Sequence, residues 1–459
     1  MQLDKIRNAP QLDGAGSACA VALICAATFA LARNHPNLDV AWLIDASGRW
    51  LRGAILYRDI VEVNPPLVFY ETVGLSAGSP SPNAYAFGVC VAMALSGLWI
   101  LRLRGPYAAV AATFAMAIAG IHNFGQRDTL ALIFGLPMLM RRRVGAAEGV
   151  ALALWAFLGF GLKPYLLCIP VADAIARAWL ARSPKPLFSA PYIVLGLSCV
   201  AYAGAVAVLY PLYLSHMVPL GRFVYWLYGV PLSGRSIVLS ALIAFVSAIA
   251  VIDRRAELVP LAAAALGALA SFYLQGRYWS YHFAPALGVA LVMTLIEARR
   301  SRPFASIAAL LCASQLFSGS GSSPSAPIPP GVRTVAILSS QVSAAYPAVV
   351  ERGIVNDTRY PALWVLPGAW SIANDPKRSA ADRAKARSLL AEQRSTIRGD
   401  ILRERPQLVM IDTTLANFDR MFRMVDFVGP LPGYADAGRS GSFVLLARRG
   451  ADAPPRAGR

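Results

Sequence analysis

Residues 85–122 read YAFGVCVAMALSGLWILRLRGPYAAVAATFAMAIAGIH, two apolar runs (85–101 and 106–122) parted by Arg102 and Arg104. A helix that crosses a bilayer needs about 20 apolar residues at about 1.5 Å of rise each. These two runs therefore read as successive spans with a basic loop between them. The same reading extends outward to 17–33, 126–140, 146–162, 164–181, 188–209, 236–252, 257–274, 284–298 and 303–318, which makes eleven expected spans. Pro137 and Pro164 mark places where a helix kinks or ends.

Over its 459 residues the chain is 56% hydrophobic and 15% charged, against about a quarter charged in soluble domains. An ordinary soluble enzyme is thereby excluded. The net charge of +18 raises the question of nucleic acid, but the placement of the charges answers it. Arg102/Arg104, Arg141–Arg143, Arg177/Arg182/Lys185, Arg254/Arg255 and Arg299/Arg300/Arg302 all fall between apolar runs, as cytoplasmic loops do. No nucleic-acid partner is expected; membrane lipids are. The six cysteines and four histidines are scattered singly, with no zinc, haem or disulfide spacing.

With the N-terminus in the cytoplasm beside Lys5 and Arg7, strict alternation places every basic cluster on the cytoplasmic side. Residues 34–84, the His122–Thr129 turn, Lys163, 210–235, 275–283 and everything after 318 then lie outside, which in a bacterial cell means the periplasmic face of the inner membrane. The first span ends Ala30-Leu31-Ala32, which also fits a signal-peptidase site, but it is read here as a retained helix. Residues 1–318 thus form a polytopic α-helical domain, 319–331 a Gly/Ser/Pro linker, 332–449 a small α/β extracytoplasmic domain, and 450–459 a disordered tail. In the C-terminal domain, strands are expected at Thr334–Leu338, Gln407–Asp412 and Ser442–Ala447, and helices at 341–352 and 379–404. Asn356-Asp-Thr358 matches a glycosylation sequon by chance.

The loop 34–84 is far longer than most connections, and long ordered loops tend to carry function. Within it Leu38–Leu51 has apolar residues at helical spacing, which predicts a helix lying on the membrane surface. Asp39 stands at its start, and Asp59 and Glu62 precede Asn64-Pro65-Pro66, where the prolines predict an extended chain.

This segment resembles the first extracytoplasmic loop of the GT-C superfamily of integral-membrane glycosyltransferases, which includes protein mannosyltransferases and the aminoarabinose transferases of lipid A. The resemblance is carried by Asp39, Trp42, Gly53, Tyr57-Arg58-Asp59 and Pro65-Pro66-Leu67. His122-Asn-Phe-Gly-Gln-Arg127-Asp128 and Gln275-Gly-Arg277-Tyr-Trp-Ser-Tyr-His282 are similar to outer segments of bacterial polyprenyl-linked sugar transferases. The resemblance covers about residues 17–318. It implies transfer of a sugar from a polyprenyl-phosphate carrier to a glycan, lipid or protein acceptor.

Such a reaction needs a base for the acceptor hydroxyl and cations for the leaving phosphate. Asp39 is the expected base, with Asp59 and Glu62 sharing that role, orienting the acceptor or, with Asp39, holding a divalent cation such as Mg or Mn. Arg127 and Arg277 are the first choices for the donor phosphate, followed by Lys163, Arg58 and His282. Tyr57, Trp42, His122 and Asp128 are expected to position substrates, and no cofactor is required. Two rival readings stay open: a flippase or transporter of lipid-linked sugars, and a polymerase or ligase of lipid-linked glycans. The first predicts internal repeats and charged or broken helices at mid-membrane; the second predicts outer Arg and His without the Asp39/Asp59 loop.

Overall fold

The computed structural model describes residues 13–33, 36–253, 256–299, 301–316, 325–414 and 423–450. The expected tail 450–459 lies, beyond Gly450, outside the described residues, as does the first half of the expected linker.

The first helix, α1 (Gly14–Ala32), starts where the Asp13 side chain accepts from the Gly16 amide. The long loop holds two helices, α2 (Leu38–Leu51) and α3 (Leu67–Leu75). The bounds of α2 match the apolar spacing. The chain around Pro66 does not match the expected extended segment: Pro66 is itself in a helical conformation and opens α3. At the start of a helix its missing N–H goes unmissed and its fixed φ suits the first turn.

A bundle follows: α4 (Pro82–Arg104), α5 (Pro106–Gly120), α6 (Arg127–Leu139), α7 (Ala146–Phe160), α8 (Cys168–Ala181), α9 (Ala190–Leu209), the short α10 (Val218–Val224), α11 (Gly234–Ile252), α12 (Val259–Gln275), α13 (Ala284–Ala298) and α14 (Arg302–Leu316). Each of the eleven expected apolar runs thus contains a helix within the described residues. Among the described residues six stretches are long and apolar enough to cross a membrane: α1, α4, Pro164–Ala181, α9, α11 and Ser280–Ala298. The others are shorter, and α6, with 13 residues, would measure only about 20 Å. Every residue of α6 is buried, so it is the axis around which its neighbours pack. At one end of the bundle Asp173 is fully buried, with Arg141 at 3.1 Å, Arg177 at 3.0 Å and the Tyr192 hydroxyl at 2.7 Å. At the other end the loop helices meet the C-terminal domain.

That domain is built from β1 (Thr334–Leu338), α15 (Ala348–Glu351), β2 (Val355–Asn356), α16 (Val365–Asn374), α17 (Ala380–Glu404), β3 (Leu408–Asp412), α18 (Met424–Val428), β4 (Tyr434–Ser440) and β5 (Phe443–Arg448). The sheet order is β2-β1-β3-β5-β4, parallel on the β2-β1-β3 side and antiparallel from β3 onward. Central β3 is buried along its whole length. The expected helix 341–352 is broken into a 3-10 turn, Val342–Ala344, and α15. Pro347 stands between them, with no N–H to give and a bias against helix in the residue before it. Part of the expected linker is packed: Ala326 and Ile328 are buried, and Arg352 donates to the Ile328 and Pro329 carbonyls.

The domain sits directly on α2, whose residues Val40–Ile44 and Ala46–Gly48 are buried. Trp42 packs edge-on to Tyr346 (5.6 Å between ring centres), and the Tyr346 hydroxyl donates to Asp45. Arg49 donates to the Thr358 carbonyl at 2.8 Å and the Asp59 carbonyl at 3.1 Å, and the Val61 amide donates to the Arg359 carbonyl. Gly368 approaches the Val224 backbone so closely that any side chain there would collide with it. Arg49→Ala would leave two carbonyls without their charged donor. The expected cost is about 1.5–3 kcal/mol, read as a lowered melting temperature of the purified chain and faster proteolysis between the two domains, with Arg49→Lys in between.

Asp357 lies half-buried near the same seam, and burial, with Glu404 adding to it and Arg49 opposing, pushes its carboxyl up to about 6. A carboxyl whose pKa is higher in the folded chain binds its proton more tightly there, so its stabilising effect is full at low pH and lost as pH rises through about 6. Melting temperature is expected to fall between about pH 4 and 6 through this group. Asp357→Asn should flatten that part of the profile.

Candidate functional site

Between the bundle end and the C-terminal domain lies a cavity of about 430 Å³. Asp39 and Trp42 reach it from α2, Glu62 and Asn64 from the loop, and Arg127 from the first residue of α6. Tyr225, Tyr228, Trp279 and Tyr281 form aromatic walls, and Ser340, Gln341 and Trp364 close the side facing the C-terminal domain.

The two acids are held differently. Glu62 is 5% exposed and accepts from the Trp42 indole N–H at 2.5 Å, the Asn64 amide at 3.1 Å and the Asn64 side-chain nitrogen at 2.6 Å. Burial raises its pKa above the ordinary carboxylate range, while Arg127 and these donors pull the other way. Three donors on two oxygens fix Glu62 as a rigid acceptor. Asp39 is half-buried, and one side-chain donor reaches it, the Gln126 amide nitrogen at 2.7 Å on Oδ2. The same nitrogen donates to Asn37 Oδ1 at 2.7 Å, and Asn37 caps α2 by accepting from the Asp39 amide. Asn37 Oδ1 and Asp39 Oδ2 are both acceptors, so the Gln126 amide can take only one orientation. Asp39 is thus oriented with lone pairs to spare.

Arg127 is 7% exposed, and its Nε has no partner among the described residues. The charges of Asp39, Glu62 and Asp128 act on it. It stands at the N-terminus of α6, where the helix dipole adds positive potential. Behind it, Asp128 is fully buried and bridged to Lys163 at 2.6 Å, and Lys163 also donates to Gln275 and lies 5.3 Å from the Tyr281 ring. A fixed cation beside an oriented carboxylate and aromatic faces can take an anion, a hydroxyl and a sugar-like ring together.

The remaining expected residues are placed as follows. Arg277 does not line the cavity but stacks at 5.1 Å on Tyr225, which does. His282 is buried behind the wall, its ring 4.4 Å from that of Tyr281, and its Nδ1 has no partner among the described residues. Tyr57, in a left-handed conformation (φ 69), is buried and donates to the Asn64 carbonyl, so it steadies the Glu62–Asn64 turn from outside. Asp59 is away from the cavity: Arg58 pairs with it at 2.9 Å and the Ile55 amide donates to it, which lowers its pKa. Asp39 and Asp59 are therefore not set as a ligand pair, and among the described residues no group of three His, Cys, Asp or Glu could hold a metal ion. His122 lines a separate cavity.

Gln126, Asn37 and the wall from the C-terminal domain were not singled out from the sequence. Gln126 falls inside the quoted His122–Asp128 segment, and its place just before a helix start was the available signal. Compared with protein-family models and with curated proteins, the chain matches none.

Proposed function

We propose that this chain is an integral-membrane glycosyltransferase of the GT-C kind, moving one sugar from a polyprenyl-phosphate carrier to an acceptor at the periplasmic face of a bacterial inner membrane. The observation that carries the reading is the joining of Asp39, Glu62 and Arg127 in one aromatic-walled cavity at the end of an apolar helix bundle. In this reading Asp39 takes the proton of the acceptor hydroxyl as its oxygen bonds to the anomeric carbon. The bond from that carbon to the phosphate oxygen breaks, and the electron pair leaves on polyprenyl phosphate, whose charge Arg127 stabilises. Glu62 holds Trp42 and Asn64 in place for the substrates. Direct displacement inverts the anomeric centre.

The test is the anomeric configuration of the product, read by NMR after turnover of a donor of known configuration. An inverted linkage supports single displacement at Asp39, and a retained one overturns it. The transporter reading would instead show labelled lipid changing leaflet with the donor intact.

A further inference from the structure

A second cavity, of about 200 Å³, opens at the same end of the bundle. Segment 278–283 divides it from the first: Trp279 and Tyr281 line the first, while Tyr278, Ser280 and Phe283 line the second. No residue lines both. Its remaining walls are helix ends, namely the turn after α5, the N-terminus of α11 and the last turn of α14.

Arg235 and His122 are the basic residues of this cavity, Tyr278 adds a phenol, and among the described residues that line it there is no Asp or Glu. Each already touches the last turn of α14: His122 Nε2 lies 2.7 Å from the Gln315 carbonyl, and the Arg235 guanidinium donates to the Ser314 carbonyl. Capping a helix C-terminus accounts for one contact apiece. A guanidinium has five donors, so Arg235 keeps donors in hand. Ser280 adds a hydroxyl and Ser236 another, shared with Ser233 Oγ at 2.9 Å; the Ser236 amide is already capped by Ser233 Oγ at 3.1 Å, so the helix start itself is closed by its own cap. The deeper wall is apolar, formed by Leu239, Phe283 and Leu287, all buried. Both α11 and Ser280–Ala298 are candidate membrane spans that begin at this cavity, so it lies where a lipid headgroup would.

We infer that this cavity is a binding site for an anionic phosphate amphiphile, its phosphate held by Arg235 and the serine hydroxyls beside His122 and its chain laid over Leu239, Phe283 and Leu287. A guanidinium with spare donors, no opposing carboxylate and an apolar floor are the complement of such a molecule. The inference does not depend on what the first cavity does.

The experiment uses the full chain in phosphatidylcholine nanodiscs doped with phosphatidic acid, with retained lipid counted by native mass spectrometry. Wild type is expected to retain phosphatidic acid about tenfold better than Arg235→Gln with His122→Gln, as loss of a charge-assisted hydrogen bond predicts. Ser280→Glu, at an exposed position, should weaken retention as well by placing a like charge beside the phosphate, and serves if the first variant misfolds. Displacement by excess inorganic phosphate would show that the phosphate alone is recognised; resistance to it would show that the chain is recognised too. Equal retention by wild type, the double variant and Ser280→Glu would overturn the inference.

Discussion

Asp39→Asn is expected to lower turnover by about 10²–10⁴-fold, the usual contribution of a positioned general base. Asparagine keeps the size and still accepts from Gln126, so the fold and the cavity should survive, and binding of the donor should change little. The loss should therefore fall on kcat. Asp59→Asn is expected to leave kcat within about threefold, since that carboxylate is occupied by Arg58 and the Ile55 amide outside the cavity. The pair of variants decides which acid acts: a dead Asp59→Asn beside an active Asp39→Asn would move the reaction away from the cavity.

Arg127→Ala is expected to cost about 10²–10³-fold in kcat, the range found when a donor to a developing anion is removed. It should also lower stability, because Glu62 and Asp128 are buried carboxylates that would lose a nearby positive charge. Arg127→Lys separates the two effects. It keeps the charge that the buried acids need but loses the planar fork that binds phosphate at two points. Near-normal melting temperature with a large loss of kcat would assign Arg127 to the leaving group. A fall in stability alone, with kcat retained, would assign it to the fold.

How much of this was legible in the sequence differs by residue. The eleven apolar runs became helices because their composition leaves few alternatives, and α2 kept the bounds its spacing gave. Asp39, Trp42, Glu62 and Arg127 converge although Arg127 is far along the chain, and the convergence needs α6 to be buried at the centre of the bundle, which no local pattern states. Asp59 lies outside the cavity for a local reason: its neighbour Arg58 and the turn at Ile55 satisfy it where it stands. His122 and Arg127 are close in sequence, yet they line different cavities. The contribution of Ser340, Gln341 and Trp364 depends wholly on how the C-terminal domain docks on α2 and α10, a tertiary fact with no period or motif to announce it. Pro66 and Pro347 show the limit of proline as a signal. One opens a helix and the other divides one, and only the surrounding chain decides which.

The most direct measurement is release of polyprenyl phosphate by the purified chain in nanodiscs, across a panel of polyprenyl-phosphate sugars with an outer-envelope acceptor extract present. Consumption of one donor, with polyprenyl phosphate appearing in step with glycosylated acceptor, is the predicted result. No donor consumed while labelled lipid-linked sugar moves between leaflets would contradict the transferase account.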